Sequence, residues 1–80
     1  MMAYNGWTNY ETWNVAVCIG NDEELYTMAR NLRNNVTPFA DFVLSLGEFG
    51  GDIAKQTPDG VRWDDSKIDE DEIQTMFDEL

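Results

Sequence analysis

The sequence contains no histidine. Its absence removes the side chain that titrates near neutral pH, the Ser–His and Cys–His nucleophile pairs, and the commonest zinc ligand. Cysteine is nearly absent too. Cys18 stands alone, so no intramolecular disulfide is available, and a single free thiol fits a reducing compartment. Within an apolar helical pattern it reads as a small hydrophobe rather than a reactive group. Positive charge is also scarce: five Lys and Arg face sixteen Asp and Glu, for a formal net charge of −11. Direct contact with nucleic acid or an anionic membrane is therefore not expected, because both depend on cations meeting phosphate. No run approaches the ~18 apolar residues that span a bilayer, and Met1 to Gly6 lacks the charged and apolar regions of a signal peptide. The expectation is a cytoplasmic protein.

Other familiar chemistry is missing as well. Gly47, Gly50 and Gly51 do not have the spacing of a phosphate-binding loop, and no lysine follows them as that loop requires. The acidic stretch from Asp64 to Glu72 lacks the alternating ligands and central glycine of a calcium loop. No catalytic residue, metal site or cofactor site is expected, and the chain reads as a binding protein rather than an enzyme.

Aromatic residues are plentiful: three Trp, four Phe and three Tyr in eighty residues. Each buries roughly 150–250 Å² when internal, enough to anchor the core of a chain this short. The expectation is one domain over residues 1–80. Residues 1–7 read as a lead-in. Thr8 to Glu11 has the spacing of a capping box, and a first helix should follow. Its apolar face is predicted from Tyr10, Trp13, Ala16 and Val17, widened by Val15, Cys18 and Ile19, with Gly20 as the stop. Asn21 and Asp22 start a second helix, with Leu25, Met28, Ala29 and Leu32 at i, i+3, i+4, i+7 and Arg30 and Arg33 at its end. Thr37-Pro38 opens a third, carrying Phe39, Phe42, Val43 and Leu46 and closed by Gly47.

Glu48 to Gly60 is glycine-rich. Thr57-Pro58-Asp59-Gly60 predicts a β-turn, and Val61-Arg62-Trp63 is a candidate hairpin arm against Ile53-Ala54-Lys55. Asp69 to Glu72 then leads into Ile73, Met76, Phe77 and Leu80, an acidic first turn before an apolar stripe. The predicted class is all-α, a compact bundle of about four short helices; a minor hairpin before the last would make it α+β.

Two groups are candidates for partner binding. Trp7, Tyr10 and Trp13 lie within a segment rich in aromatic and amide groups, where rings anchor and amides orient. The alternative is that Trp7 and Trp13 simply fill the core, with Asn9 and Asn14 bonded to nearby loops. The second group is acidic: Asp22, Glu23 and Glu24, with Asp64, Asp65, Asp69, Glu70, Asp71 and Glu72. Residues 64–80 hold eight carboxylates and one lysine. Such a surface steers a basic partner and, with suitable spacing, imitates the phosphate rows of DNA. Solubility and helix capping account for the same charge.

The stretch Asn5-Gly6-Trp7-Thr8-Asn9-Tyr10-Glu11-Thr12-Trp13-Asn14-Val15-Ala16, followed by Asn21-Asp22-Glu23, resembles a family of small, largely uncharacterised proteins from bacteriophages, plasmids and some prokaryotic genomes. Thr57 to Asp65 and the closing acidic helix are similar to that family's C-terminal part; residues 36–56 carry no part of the likeness. The resemblance transfers no catalytic residue. It implies a setting in which small acidic proteins block a host protein, often a basic, nucleic-acid-binding one. The expected function is thus a non-enzymatic interaction protein that inhibits or modulates a host factor, with DNA mimicry as one form. The alternative is a small accessory or structural subunit that forms a homodimer.

Overall fold

A computed structural model describes residues 6–80; of the lead-in expected over residues 1–7, residues 1–5 lie outside the described residues. Four α-helices form: α1 (Tyr10–Asn21), α2 (Glu23–Leu32), α3 (Pro38–Leu46) and α4 (Glu70–Asp78). A single 3-10 turn, Asp52–Ala54, lies between α3 and α4. No strand forms among the described residues, so the fold is an all-α bundle.

The first cap differs from the sequence expectation. Asn9, not Thr8, is the N-cap of α1, and its side-chain oxygen accepts from the Thr12 N–H at 2.9 Å. This places Thr12 at the third helical position and Glu11 at the second, so no capping box forms. Gly20 does not stop the helix either. The chain stays helical to Asn21, and Asp22 both closes α1 and caps α2, accepting from the Leu25 N–H at 3.0 Å.

At α3, Thr37 precedes Pro38 at the first helical position, where a missing N–H costs nothing. The Thr37 side chain makes no capping bond to the helix backbone; its hydroxyl reaches Asp41 instead.

The predicted hairpin shrinks to one antiparallel bridge between Gln56 and Arg62. Ile53 and Ala54 wind into the 3-10 turn, and a single backbone-to-backbone bond, from the Trp63 N–H to the Lys55 carbonyl at 3.1 Å, joins the two expected arms. The predicted turn does form. The Gly60 N–H donates to the Thr57 carbonyl at 2.9 Å, with Gly60 at φ +94°, a left-handed conformation that favours glycine.

All four helices supply the core: Val15, Ala16 and Ile19; Leu25 and Ala29; Phe39, Phe42 and Leu46; Ile73 and Phe77. The connecting segment adds Val61, Trp63 and Ile68. Phe42 is fully buried at the centre. It meets Trp63 and Phe77 edge-on, with centroids 5.8 and 5.7 Å away, and lies nearly parallel to Phe39 at 6.4 Å. Edge-to-face pairs of this kind add about 0.5–1.5 kcal/mol beyond area burial. The Trp63 indole N–H donates to the Ile53 carbonyl at 2.7 Å, which ties the 3-10 turn to this cluster.

Candidate acidic surface and the amide clasp

The segment from Thr8 to Asn14 commits most of its polar groups to distant parts of the chain. The Thr8 N–H donates to Glu72 at 2.9 Å, and its hydroxyl reaches Asp69 at a long 3.4 Å. The Asn9 amide donates to the Lys67 carbonyl at 2.7 Å, while the Thr12 hydroxyl accepts from the Asp69 N–H at 2.8 Å. Thr12 is wholly buried. Four bonds therefore clasp the start of α1 to the start of α4.

One turn further along α1, Asn14 anchors the β-turn. Its amide nitrogen donates to Asp59 at 2.7 Å, and its oxygen accepts from the Thr57 hydroxyl at 2.6 Å. The same hydroxyl accepts from the Val61 N–H at 3.1 Å. Asn14 and Thr57 are almost fully inaccessible to water, so each polar atom needs these partners.

The candidate aromatic residues take intermediate positions. Trp7 and Tyr10 are half-buried and pack against the core, and Trp13 is half-buried with its ring 5.8 Å from that of Tyr10. Trp63 is internal. The large apolar side chains most open to water are three others: Val36 at 99%, Leu44 at 74% and Phe49 at 48% exposed.

The candidate carboxylates divide into two sets. Asp22 and Asp69 cap helices, Glu72 holds Thr8, and Asp65 accepts from the Lys67 N–H at 2.8 Å. Asp64 faces Arg62 through two bonds, of 2.9 and 3.2 Å. The hydrogen-bonded guanidinium holds the Asp64 carboxyl below the usual carboxylate range, and Asp64 in turn raises Arg62. This is the one ion pair among the described residues, and both groups are well exposed, so it contributes little to stability. Glu23, Glu24, Glu70 and Asp71 are exposed, and their carboxylates take no hydrogen bond.

The surface concavities follow a common pattern. A groove of about 700 Å³ between α2 and the end of α3 has Glu23 and Glu24 on its wall, with Met28, Leu32 and Phe49 as its apolar lining. A second depression sets Trp7 and Met76 beside Glu72 and Glu79. In a third, Val36 and Phe39 lie beside Glu70 and Asp71. The fourth joins Cys18 to Asp22 and Asp59. Each of the four is lined by two carboxylates and by no lysine or arginine. Of the carboxylates in these depressions, Asp59 and Glu79 were not among those the sequence singled out. Their separation from the main acidic runs hid them. Asp64 and Asp65 were singled out but line none of the four.

Cys18 is half-buried, and its thiol is pushed up to about 11, by burial first and then by the negative charges of Asp22 and Asp59. It stays protonated at neutral pH and is a poor nucleophile there. Among the described residues, no three acidic or cysteine side chains converge as they must to hold a metal ion, and no helix is long and apolar enough to cross a membrane. No curated protein and no solved structure matches the chain. The family match runs over residues 1–80 and so takes in the stretch from 36 to 56 as well: the chain belongs to the family of unknown function DUF7249.

Proposed function

We propose that this protein is a non-catalytic binding protein that uses its acidic surface to occupy a basic surface on another protein. The observation that carries the reading is the lining of the four depressions, each with two carboxylates and no cation. A concave wall of one sign concentrates its field and selects partners of the opposite sign. With one ion pair among the described residues, most of the sixteen carboxylates have no internal counter-charge. The resemblance to phage and plasmid proteins supplies the setting: the partner is a host protein, basic and nucleic-acid-binding, which this chain inhibits or modulates. Imitation of DNA phosphates by the carboxylates is one form of that inhibition.

The test is capture of partners from host lysate by the tagged protein at low and at moderate salt, followed by competition with DNA. The expected outcome is a basic protein retained at low salt, released as salt rises, and unable to bind DNA while this chain is present. Replacing Glu23, Glu24 and Glu70 with Gln and Asp71 with Asn should restore its DNA binding, since these side chains form no hydrogen bonds in the fold. A partner whose retention ignores both salt and these substitutions would sink the reading. The alternative, a homodimeric accessory subunit, draws its support from the exposed Val36, Leu44 and Phe49. Sedimentation across a range of protein concentrations separates the two.

A further inference from the structure

The groove between α2 and α3 is the roomiest of the four depressions, and it sets apolar side chains beside its two carboxylates. Phe49, just beyond α3, leaves about half of its surface in water, and Met28 and Leu32 of α2 line the same concavity. Single exposed apolar side chains are ordinary; here exposed Phe49 and part-buried Met28 and Leu32 line one groove of about 700 Å³. Glu23 and Glu24 lie in the first turn of α2 and Leu32 in its last. At about 1.5 Å per residue, the acidic and apolar ends of the groove are about 12 Å apart along the axis. Glu23 and Glu24 make no hydrogen bond or ion pair within the fold, and no cation lines the groove.

We propose that this groove receives an amphipathic helix of a partner protein, carrying apolar residues at i and i+4 and a Lys or Arg pair two turns away. The inference rests on the acidic-surface reading above and assigns it a place. Apolar residues one turn apart settle on Met28, Leu32 and Phe49, and cations two turns along reach Glu23 and Glu24. This is helix-in-groove recognition, with apolar anchors for affinity and charge for orientation. Charge selects the occupant. A second copy of this chain brings another −11 and a second Glu23–Glu24 pair against the first, and nucleic acid brings phosphate against the same carboxylates.

The probe is a synthetic helical peptide with a leucine stripe and terminal lysines, set against a peptide of equal charge whose leucines are replaced by glutamine. Binding is read at low salt by fluorescence anisotropy, and the contact site by backbone amide shifts. The striped peptide should bind at least about tenfold more tightly, the usual effect of an apolar anchor in a pocket. Phe49→Ser should bring the two peptides to within about twofold of each other, because that anchor is lost. Helical circular dichroism checks that the variant is folded. Glu23→Gln with Glu24→Gln, at exposed positions outside the core, should weaken both peptides and flatten their salt dependence. If both peptides bind equally and Phe49→Ser changes nothing, the groove assignment is overturned while the acidic-surface reading stands. If neither binds at low salt, both fail. A self-association that Phe49→Ser abolishes would make the occupant a second copy and overturn the assignment.

Discussion

Helices α2 and α4 begin alike and end up differently engaged. Each has an aspartate N-cap, Asp22 or Asp69, followed by exposed acids in its first turn. At α4, Asp69 and Glu72 are gripped by Thr8 and Thr12, residues about sixty positions away in the chain. At α2, Glu23 and Glu24 are left to solvent at the edge of an apolar groove. The helix dipole explains why acids suit both starts. It does not explain the clasp, which depends on what α1 brings against them. One acidic start thus works as structure, and the other leaves its charge to solvent.

Three variants test that difference. The largest effect is expected at Asn14, whose amide is the link between α1 and the β-turn. Asn14→Ala leaves the buried Thr57 hydroxyl and the Asp59 carboxylate without their partner, at a cost of about 2–4 kcal/mol. Thermal unfolding should move down by about 10–20 °C in a chain of this size. Asp69→Ala removes a helix cap and a contact of Thr8, and should cost about 1–2 kcal/mol in urea unfolding. Glu23→Gln with Glu24→Gln should stay within about 0.5 kcal/mol of the native chain. If the α2 pair proves as costly as Asp69, the two helix starts are not different in kind.

A pH effect belongs between the last two. Burial, with Asp22 and Asp59, raises the Cys18 thiol from 9.0 to about 11, so the unfolded chain loses this proton first. The thiol's contribution to stability is whole below about pH 9 and is lost as the pH climbs toward 11. Cys18→Ala should flatten the fall in stability over that window. An unchanged slope would mean that the thiol ionises as freely in the fold as in the open chain.

Much of the fold was legible in the sequence because its signals are local. Leu25 and Ala29, Phe39 and Phe42, and Ile73 and Phe77 are buried at the predicted helical spacing, and Asp22 and Asp69 begin helices where the acidic runs predicted them. The errors cluster in α1. Of its predicted face, Val15, Ala16 and Ile19 are buried while Tyr10, Trp13, Val17 and Cys18 are only partly so, and Thr12 and Asn14 are buried without having been predicted. Periodicity is blind to a buried threonine or asparagine, because their internal placement depends on partners 57 and 43 residues away. The Thr8 cap failed for the same reason. Thr8 is committed to Glu72 and Asp69, and Asn9 takes the local role. Of the candidate site, the charge could be read from composition, but which carboxylates are engaged and which remain open is set by tertiary contacts. Phe49 sits in a glycine-rich stretch with no period and gave no signal.

Asp22 also fixes a chain length. With one residue serving as the end of α1 and the start of α2, there is no slack between the two helices. A single residue inserted there would turn α2 by about 100° about its own axis, moving Leu25 and Ala29 away from the core and sweeping the groove to another side. The direction in which the protein presents its groove is therefore written into the length of a joint.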